Sequence, residues 1–283
     1  MQRSRRPKKV AERALISTIG RLPVRTDDGR NRVVVICYHS VHPTLRSSAR
    51  PDLFRLQLHW LQRNCTVVAL DSIRDHASAD ADASPRPVVA ITFDDGYADN
   101  FELAYPVLAE LELTATFFVV PGLIERDRAV VERMQAQRRI RDLRGMSWEQ
   151  IRELHDAGFG IGSHTYGHRV LARLPRHEAA SEVERGKAVV EERLGVEIPL
   201  FAYPYGIPGR HVARESVEVV REAGCVTAVA ILHRRVKASD DPLLTPRFFV
   251  RDDDVPMFGK KILGASDFIG AIQERLPRRH AVR

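Results

Sequence analysis

The chain has 283 residues, 44% of them hydrophobic and 29% charged, a balance that excludes wholesale disorder and supplies the apolar material for one sizeable domain. Its formal net charge of +7 lies wholly in residues 1–32, which carry ten Lys/Arg against three Asp/Glu; the remaining 251 residues hold 34 basic and 34 acidic side chains. A neutral body excludes the basic face that a nucleic-acid groove requires.

The basic segment 1–31 reads as a flexible, solvated tail, with attraction to anionic lipid head groups as the sharper alternative. Residues 277–283 form a second, short basic tail, which leaves 32–276 as the folded domain. Cys37, Cys65 and Cys225 lie far apart, match no zinc-type spacing and suit buried thiols in a reducing compartment. Residues 14–20 are too short and too polar for the apolar core of a signal peptide, and no run reaches the roughly 20 apolar residues of a membrane helix. The expectation is a cytoplasmic protein, at most peripheral to a membrane.

In chain order, short apolar and β-branched runs at residues 33–37, 66–70, 88–93, 116–120, 159–162, 200–203, 226–230 and 248–250 read as strands buried on both faces. Between them, helical periods run through 53–64, 148–157, 178–194, 212–223 and 258–276. The first of these helices places Leu56, His59, Trp60 and Arg63 near one face. Residues 79–86 read as a polar loop and 126–144 as a charged insertion. Alternating strands and helices imply βα units with right-handed crossovers. About eight strands in one neutral body favour a closed (β/α) barrel, where reactive residues belong at the C-terminal ends of strands. His39, Asp94-Asp95, His164 and Tyr205 all fall just past such an end.

Asp94 and Asp95 leave a buried strand side by side, so one can bind a metal while its neighbour faces a water; a turn or helix cap is the plainer reading of Asp-Asp-Gly. His164 and His168 are four residues apart, and on a helical turn both rings reach one point. Two imidazoles and the Asp95 carboxylate leave positions open for water and substrate, which suits catalytic Zn2+, with Co2+, Ni2+ or Mn2+ able to take similar ligands.

These residues carry a family resemblance. Thr92-Phe93-Asp94-Asp95-Gly96-Tyr97, Met146-Ser147-Trp148, Gly162-Ser163-His164-Thr165-Tyr166-Gly167-His168 and Phe201-Ala202-Tyr203-Pro204-Tyr205-Gly206 follow one another in order, with Leu244-Thr245-Pro246-Arg247-Phe248 beyond. From about residue 31 to 276 the chain resembles the polysaccharide deacetylase family (NodB-homology domain, carbohydrate esterase family 4). Tyr38-His39 resembles its branch that trims poly-N-acetylglucosamine. The resemblance implies a distorted (β/α) barrel of seven to eight strands and hydrolysis of N-acetyl groups on the amino sugars of a glycan. It further implies Asp94 as general base and Asp95, His164 and His168 as metal ligands.

A metal that lowers the pKa of its water to about 7 and polarises an amide carbonyl makes the chemistry feasible. The Tyr205 N–H after Pro204 is the expected oxyanion donor, and Tyr97, Tyr203 and Pro204 are expected to meet the substrate. His39 is preferred over His233 as the acid for the departing amine. The arginine that usually precedes the Pro-Tyr of the third motif is missing here, where Phe201-Ala202 stand instead. Arg247 is the candidate replacement, or else a structural ion-pair partner. This gap, and the lack of a late Trp motif, favour a divergent exopolysaccharide or lipid-linked glycan deacetylase. Two other readings stand beside it: a hydrolase of another amide, imide or ester on the same barrel, and a non-catalytic carbohydrate-binding relic.

Overall fold

A computed structural model describes residues 32–45, 48–78, 86–250, 253–265 and 267–275. The two basic tails and most of the polar loop at 79–86 lie outside these residues. Each apolar run becomes a strand: β1 Val33–Tyr38, β2 Thr66–Val68, β3 Val88–Phe93, β4 Thr116–Val119, β5 Gly160–Ser163, β6 Leu200–Ala202, β7 Thr227–Ile231 and β8 Thr245–Phe249. All neighbouring strands are parallel, in the order β1-β8-β7-β6-β5-β4-β3. β1 then pairs along the whole of β3, from Val33↔Val88 to Tyr38↔Phe93, and closes the sheet.

The barrel therefore has seven staves. β2 is three residues, Thr66 exposed and Val67 and Val68 half-buried, that pair only with the first half of β3, and β4 takes over the same edge from Thr92↔Thr116 onward. A strand too short to reach the mouth cannot be a stave; it wedges the bottom of the barrel.

Successive strand residues alternate between faces. Val35, Ala90, Phe118, Ala202 and Val229 share one buried cluster inside the barrel. A Cβ on Gly162 would lie 2.5 Å from the Phe118 ring, so the glycine is what lets Phe118 fill the interior. Two residues further along β1 and β3, the inward positions turn polar at Cys37 and Thr92. Arg247 of β8 joins them, its guanidinium 5.5 Å from the Phe118 ring. The next step up reaches His39 and Asp94. The strands thus deliver an apolar floor and a polar mouth by parity alone.

Two expectations are corrected. The helix Pro51–Asn64 buries Phe54, Gln57, Leu58 and Leu61, while Leu56 is 52% exposed, so its inner face is offset by two residues, roughly the opposite side from the one assigned by periodicity. The single helix expected at 258–276 is broken: Gly264, at φ 97°, separates Val255–Lys260 and its wide last turn from Asp267–Arg275. The charged insertion at 126–144 contains a helix, Arg128–Arg138, capped by Asp127, whose carboxylate accepts from the N–H groups of Ala129 and Val130. All three cysteines are buried and free, and no helix among the described residues is long and apolar enough to cross a membrane.

Candidate active site

Asp94 still belongs to the β3 ladder, its N–H donating to Tyr38 O at 3.0 Å, and so points inward. Asp95 turns to φ 74° and sends its carboxylate elsewhere. Thr165, His168 and Tyr205 are also left-handed, at φ 62°, 55° and 61°. Such backbone costs of order 1–3 kcal/mol at each non-glycine and clusters where geometry serves function. His164 and His168 accordingly do not sit on a helical turn. They lie on an irregular loop after β5, with ring centroids 5.1 Å apart. The helix Arg176–Leu194 clamps that loop: Glu182 accepts from the N–H groups of Tyr166 and Gly167. Gly186 permits the approach, since a Cβ there would lie 2.6 Å from the backbone of Thr165 and Tyr166.

Asp95 Oδ1 lies 3.1 Å from His168 Nε2 and 3.6 Å from His164 Nε2, all three residues being buried. His164 Nδ1 is 2.6 Å from the Ala202 carbonyl, which can only accept, so Nδ1 carries the proton and Nε2 presents a lone pair. His168 Nδ1 likewise faces Gln137 Oε1 at 3.4 Å. Both lone pairs are therefore aimed at a carboxylate oxygen, an arrangement that is repulsive without a cation. Asp95 Oδ1 and His168 Nε2 are buried with no hydrogen-bond partner. The donor set fits a divalent metal, with imidazoles whose far nitrogens are fixed as outer partners fix metal ligands. Burial alone would raise the Asp95 carboxyl, but the Arg138 guanidinium beside it holds it well below the usual range. Burial in turn pulls the His168 imidazole down against the pull of Asp95, which keeps the ring neutral.

The other oxygen, Asp95 Oδ2, accepts from Arg138 Nη2 at 2.5 Å. Arg138 closes the helix Arg128–Arg138, which also reaches the histidine loop through Arg133 to Gly167 O (2.7 Å) and through Gln137. Sequence reasoning missed Arg138. The signal was present as the Asp127 cap followed by Val130 and Met134, the helix's buried residues.

Asp94 is gripped from below. Arg247 Nη1 and Nη2 donate to its two oxygens at 2.7 Å each, and Nη1 also reaches Thr92 Oγ1 at 3.1 Å. The arginine that grips Asp94 comes from β8. Burial would raise the Asp94 carboxyl, yet the Arg247 guanidinium beside it is the main influence that brings it down to about 2. The Cys37 thiol donates to Asp94 Oδ2 at 3.4 Å, and His39 Nε2 stands 4.0 Å from the same oxygen. Burial holds the His39 imidazole down to about 3. His233 lies two residues past β7, where its N–H donates to Gln273; the imidazole that clusters with Asp94 is His39.

Pro204, Tyr205 and Gly206 turn at the end of β6. The Tyr205 ring is 5.2 Å from His168, and its N–H has no acceptor among the described residues. Tyr97 is buried beside Asp95. Tyr203, expected at the substrate, is 1% exposed and packs with Phe201, Val217 and Ala230, because its strand position faces away from the barrel interior.

Residues 81–228, just over half of the chain, match the family model for polysaccharide deacetylase; His39 and Arg247 lie outside that span. YxkH of Bacillus subtilis (strain 168), provisionally named a polysaccharide deacetylase, is 27% identical over 176 residues, 62% of this chain and 57% of YxkH. The poly-beta-1,6-N-acetyl-D-glucosamine N-deacetylase of Staphylococcus aureus (strain MRSA252) is 21% identical over 178 residues, 60% of this chain and 56% of that enzyme. The matched stretch thus spans little more than half the length of either relative. IcaB from Ammonifex degensii superimposes with a TM-score of 0.65 at 27% identity, covering 83% of this chain and 98% of IcaB. The Streptococcus pyogenes deacetylase PplD, solved with acetate, shares the fold at a TM-score of 0.68 and 20% identity, covering 82% and 97%. With its seven-stave barrel, its Asp-Asp pair and its paired histidines, the chain belongs to the polysaccharide deacetylase family.

Proposed function

We propose that the protein hydrolyses N-acetyl groups on amino sugars of a glycan with the help of a divalent metal, zinc before cobalt, nickel or manganese. The observation that carries this reading is the division of the two carboxylates. Asp95 faces two imidazole lone pairs, whereas Asp94 is held by Arg247 and faces His39. Asp95, His164 and His168 would hold the ion, which supplies a water of pKa near 7 and a polarised acetamide carbonyl.

The chain's own groups do the rest. Asp94, ionised throughout the neutral range, takes the proton of the attacking water. Arg247 fixes both carboxylate oxygens, so the accepting lone pair has one direction. The unsatisfied Tyr205 N–H is the donor for the tetrahedral oxyanion, a role whose loss typically costs about 3 kcal/mol. His39 is neutral before reaction, so it acts on the departing amine only with a proton received on the way. Asp94 Oδ2, 4.0 Å from His39 Nε2, is where that proton waits. Tyr97 and Pro204 line the approach.

The relatives named for poly-N-acetylglucosamine make that polymer the first substrate to try. Acetate release from N-acetylglucosamine oligomers, with and without chelator, tests the reading. Metal-dependent release is expected. Cleavage of an ester or cyclic imide without any such release would replace it by the alternative hydrolase. A relic would lack a ligand or the base, and Asp94, Asp95, His164 and His168 are all in place.

A further inference from the structure

We propose that Arg173 and Arg210 form an anion subsite at the barrel mouth, so that the preferred substrate carries a phosphate or carboxylate beside the N-acetylated sugar. The inference rests on the deacetylase reading and names its substrate class.

The body has no net charge to spare, since residues 33–283 are balanced between acids and bases. Inside the centre, each carboxylate already faces an arginine: Asp94 with Arg247, Asp95 with Arg138. A divalent cation there would add to two carboxylates that are already matched by two arginines.

From the metal ligands a line of rings leads outward. His168 to Tyr205 is 5.2 Å between centroids, and Tyr205 to His211 is 5.3 Å. At its end two arginines, Arg173 and Arg210, flank the His211 segment. Arg210 precedes His211 in a tight turn, where Gly209 and Val212 are bonded at 2.9 Å and His211 N–H donates to Ile207 O at 2.8 Å. Arg173 ends the short 3-10 turn Leu171–Arg173, and Ala172 N–H donates to His211 O at 3.3 Å. Both charges act on the His211 ring, which burial first and then these arginines pull down to about 4.

Their neighbours make the contrast. Arg169, Arg176, Arg214 and Arg221 each pair with a carboxylate, namely Glu178, Glu222, Glu218 and Asp241. Arg173 and Arg210 are exposed, and neither guanidinium has a hydrogen bond or ion pair among the described residues. A guanidinium fork matches carboxylate and phosphate oxygens two at a time. Two such forks, around the outer end of the His168–Tyr205–His211 line of rings, suit a charge on the next sugar unit or a phosphate on the reacting one.

The test compares the metal-loaded protein with its R173E/R210E and R173K/R210K variants, after equal thermal unfolding shows that all three are folded. The substrates are neutral N-acetylglucosamine disaccharide, N-acetylglucosamine 1-phosphate and a disaccharide carrying a uronic acid. Charge reversal is expected to lower kcat/KM roughly 30- to 100-fold for whichever anionic substrate fits, with the neutral disaccharide changed less than about twofold and lysine restoring most of the loss. High salt should erode the anionic preference alone. Equal effects on neutral and anionic substrates, or no anionic preference in the parent, would overturn the subsite. If no substrate is turned over, the deacetylase reading fails instead, and calorimetry with N-acetylglucosamine 1-phosphate decides the subsite separately. Binding weakened tenfold or more by charge reversal upholds it, and unchanged or absent binding ends it.

Discussion

Replacing Arg247 by Met removes both hydrogen bonds to Asp94 while keeping most of the buried volume. The parent pair is fully enclosed, with side chains 0% and 4% exposed and two contacts of 2.7 Å. An Asp94 that titrates near 2 in place of 3.8 reflects a surroundings that favours its charge by on the order of 2 kcal/mol net of burial. Arg247 is the largest single influence opposing that burial. Without it the carboxylate must either stay charged and unpaired, at about 3–5 kcal/mol of fold stability, or take up a proton at neutral pH. The second course removes the base. Acetate release should fall by roughly 10²- to 10⁴-fold, and the acid limb of the kcat/KM–pH profile should move upward. Arg247→Lys, which offers one contact in place of two, should fall between. Combining Arg247→Met with Asp94→Asn should recover much of the lost unfolding free energy, a coupling of about 2 kcal/mol or more in a double-mutant cycle. An Arg247→Met protein with parental turnover and an unmoved acid limb would show that the bidentate grip has no bearing on Asp94.

Other consequences follow from single contacts. Zinc should raise the melting temperature of the parent as the logarithm of its concentration, and His168→Ala should abolish the rise, as differential scanning fluorimetry can show. Gly162→Ala places a methyl 2.5 Å from Phe118 and should cost about 1–3 kcal/mol in denaturant unfolding; a neutral result would mean the barrel interior is not filled as described. Asp99, raised to about 6 mainly by burial despite donors from Ser40 and Val41, binds its proton more tightly folded than unfolded. Its penalty therefore grows as pH rises from about 4 to 6, and Asp99→Asn should flatten that slope and stabilise the protein by about 1–2 kcal/mol at pH 7.5. His39, lowered to about 3 from 6.5, works in the opposite sense. Its contribution is complete above pH 6.5 and drains away as the pH falls toward 3, so His39→Gln should resist acid unfolding better than the parent over that range.

The barrel was legible because most of its strands are short runs of buried apolar residues, β-branched or aromatic, and the Asp-Asp and His-x-x-x-His segments fall where such strands end. What was not legible is set by long-range register. That β2 stops short of the mouth depends on where β4 meets β3, which no local pattern records. Arg247 stands 153 residues from Asp94, and only closure of β8 onto β1, beside β3, brings them together. The helix Arg128–Arg138 was hidden by its composition, since Val130 and Met134 are its only buried residues and arginines crowd the rest. The histidine pair was read correctly as convergent but for the wrong reason. Left-handed residues at Thr165 and His168, rather than a helical turn, bring the rings together. The broken helix at Gly264 shows the same limit, because a glycine within a periodic run does not announce its φ.

The central claim is that Asp95, His164 and His168 hold the metal while Asp94 acts on the water. It is tested most directly by Asp94→Asn, with bound zinc titrated and acetate release measured in the same sample. One equivalent of zinc bound with parental affinity, and turnover lower by at least about a hundredfold, is the expected result. Retained turnover, or turnover lost together with the metal, would contradict it.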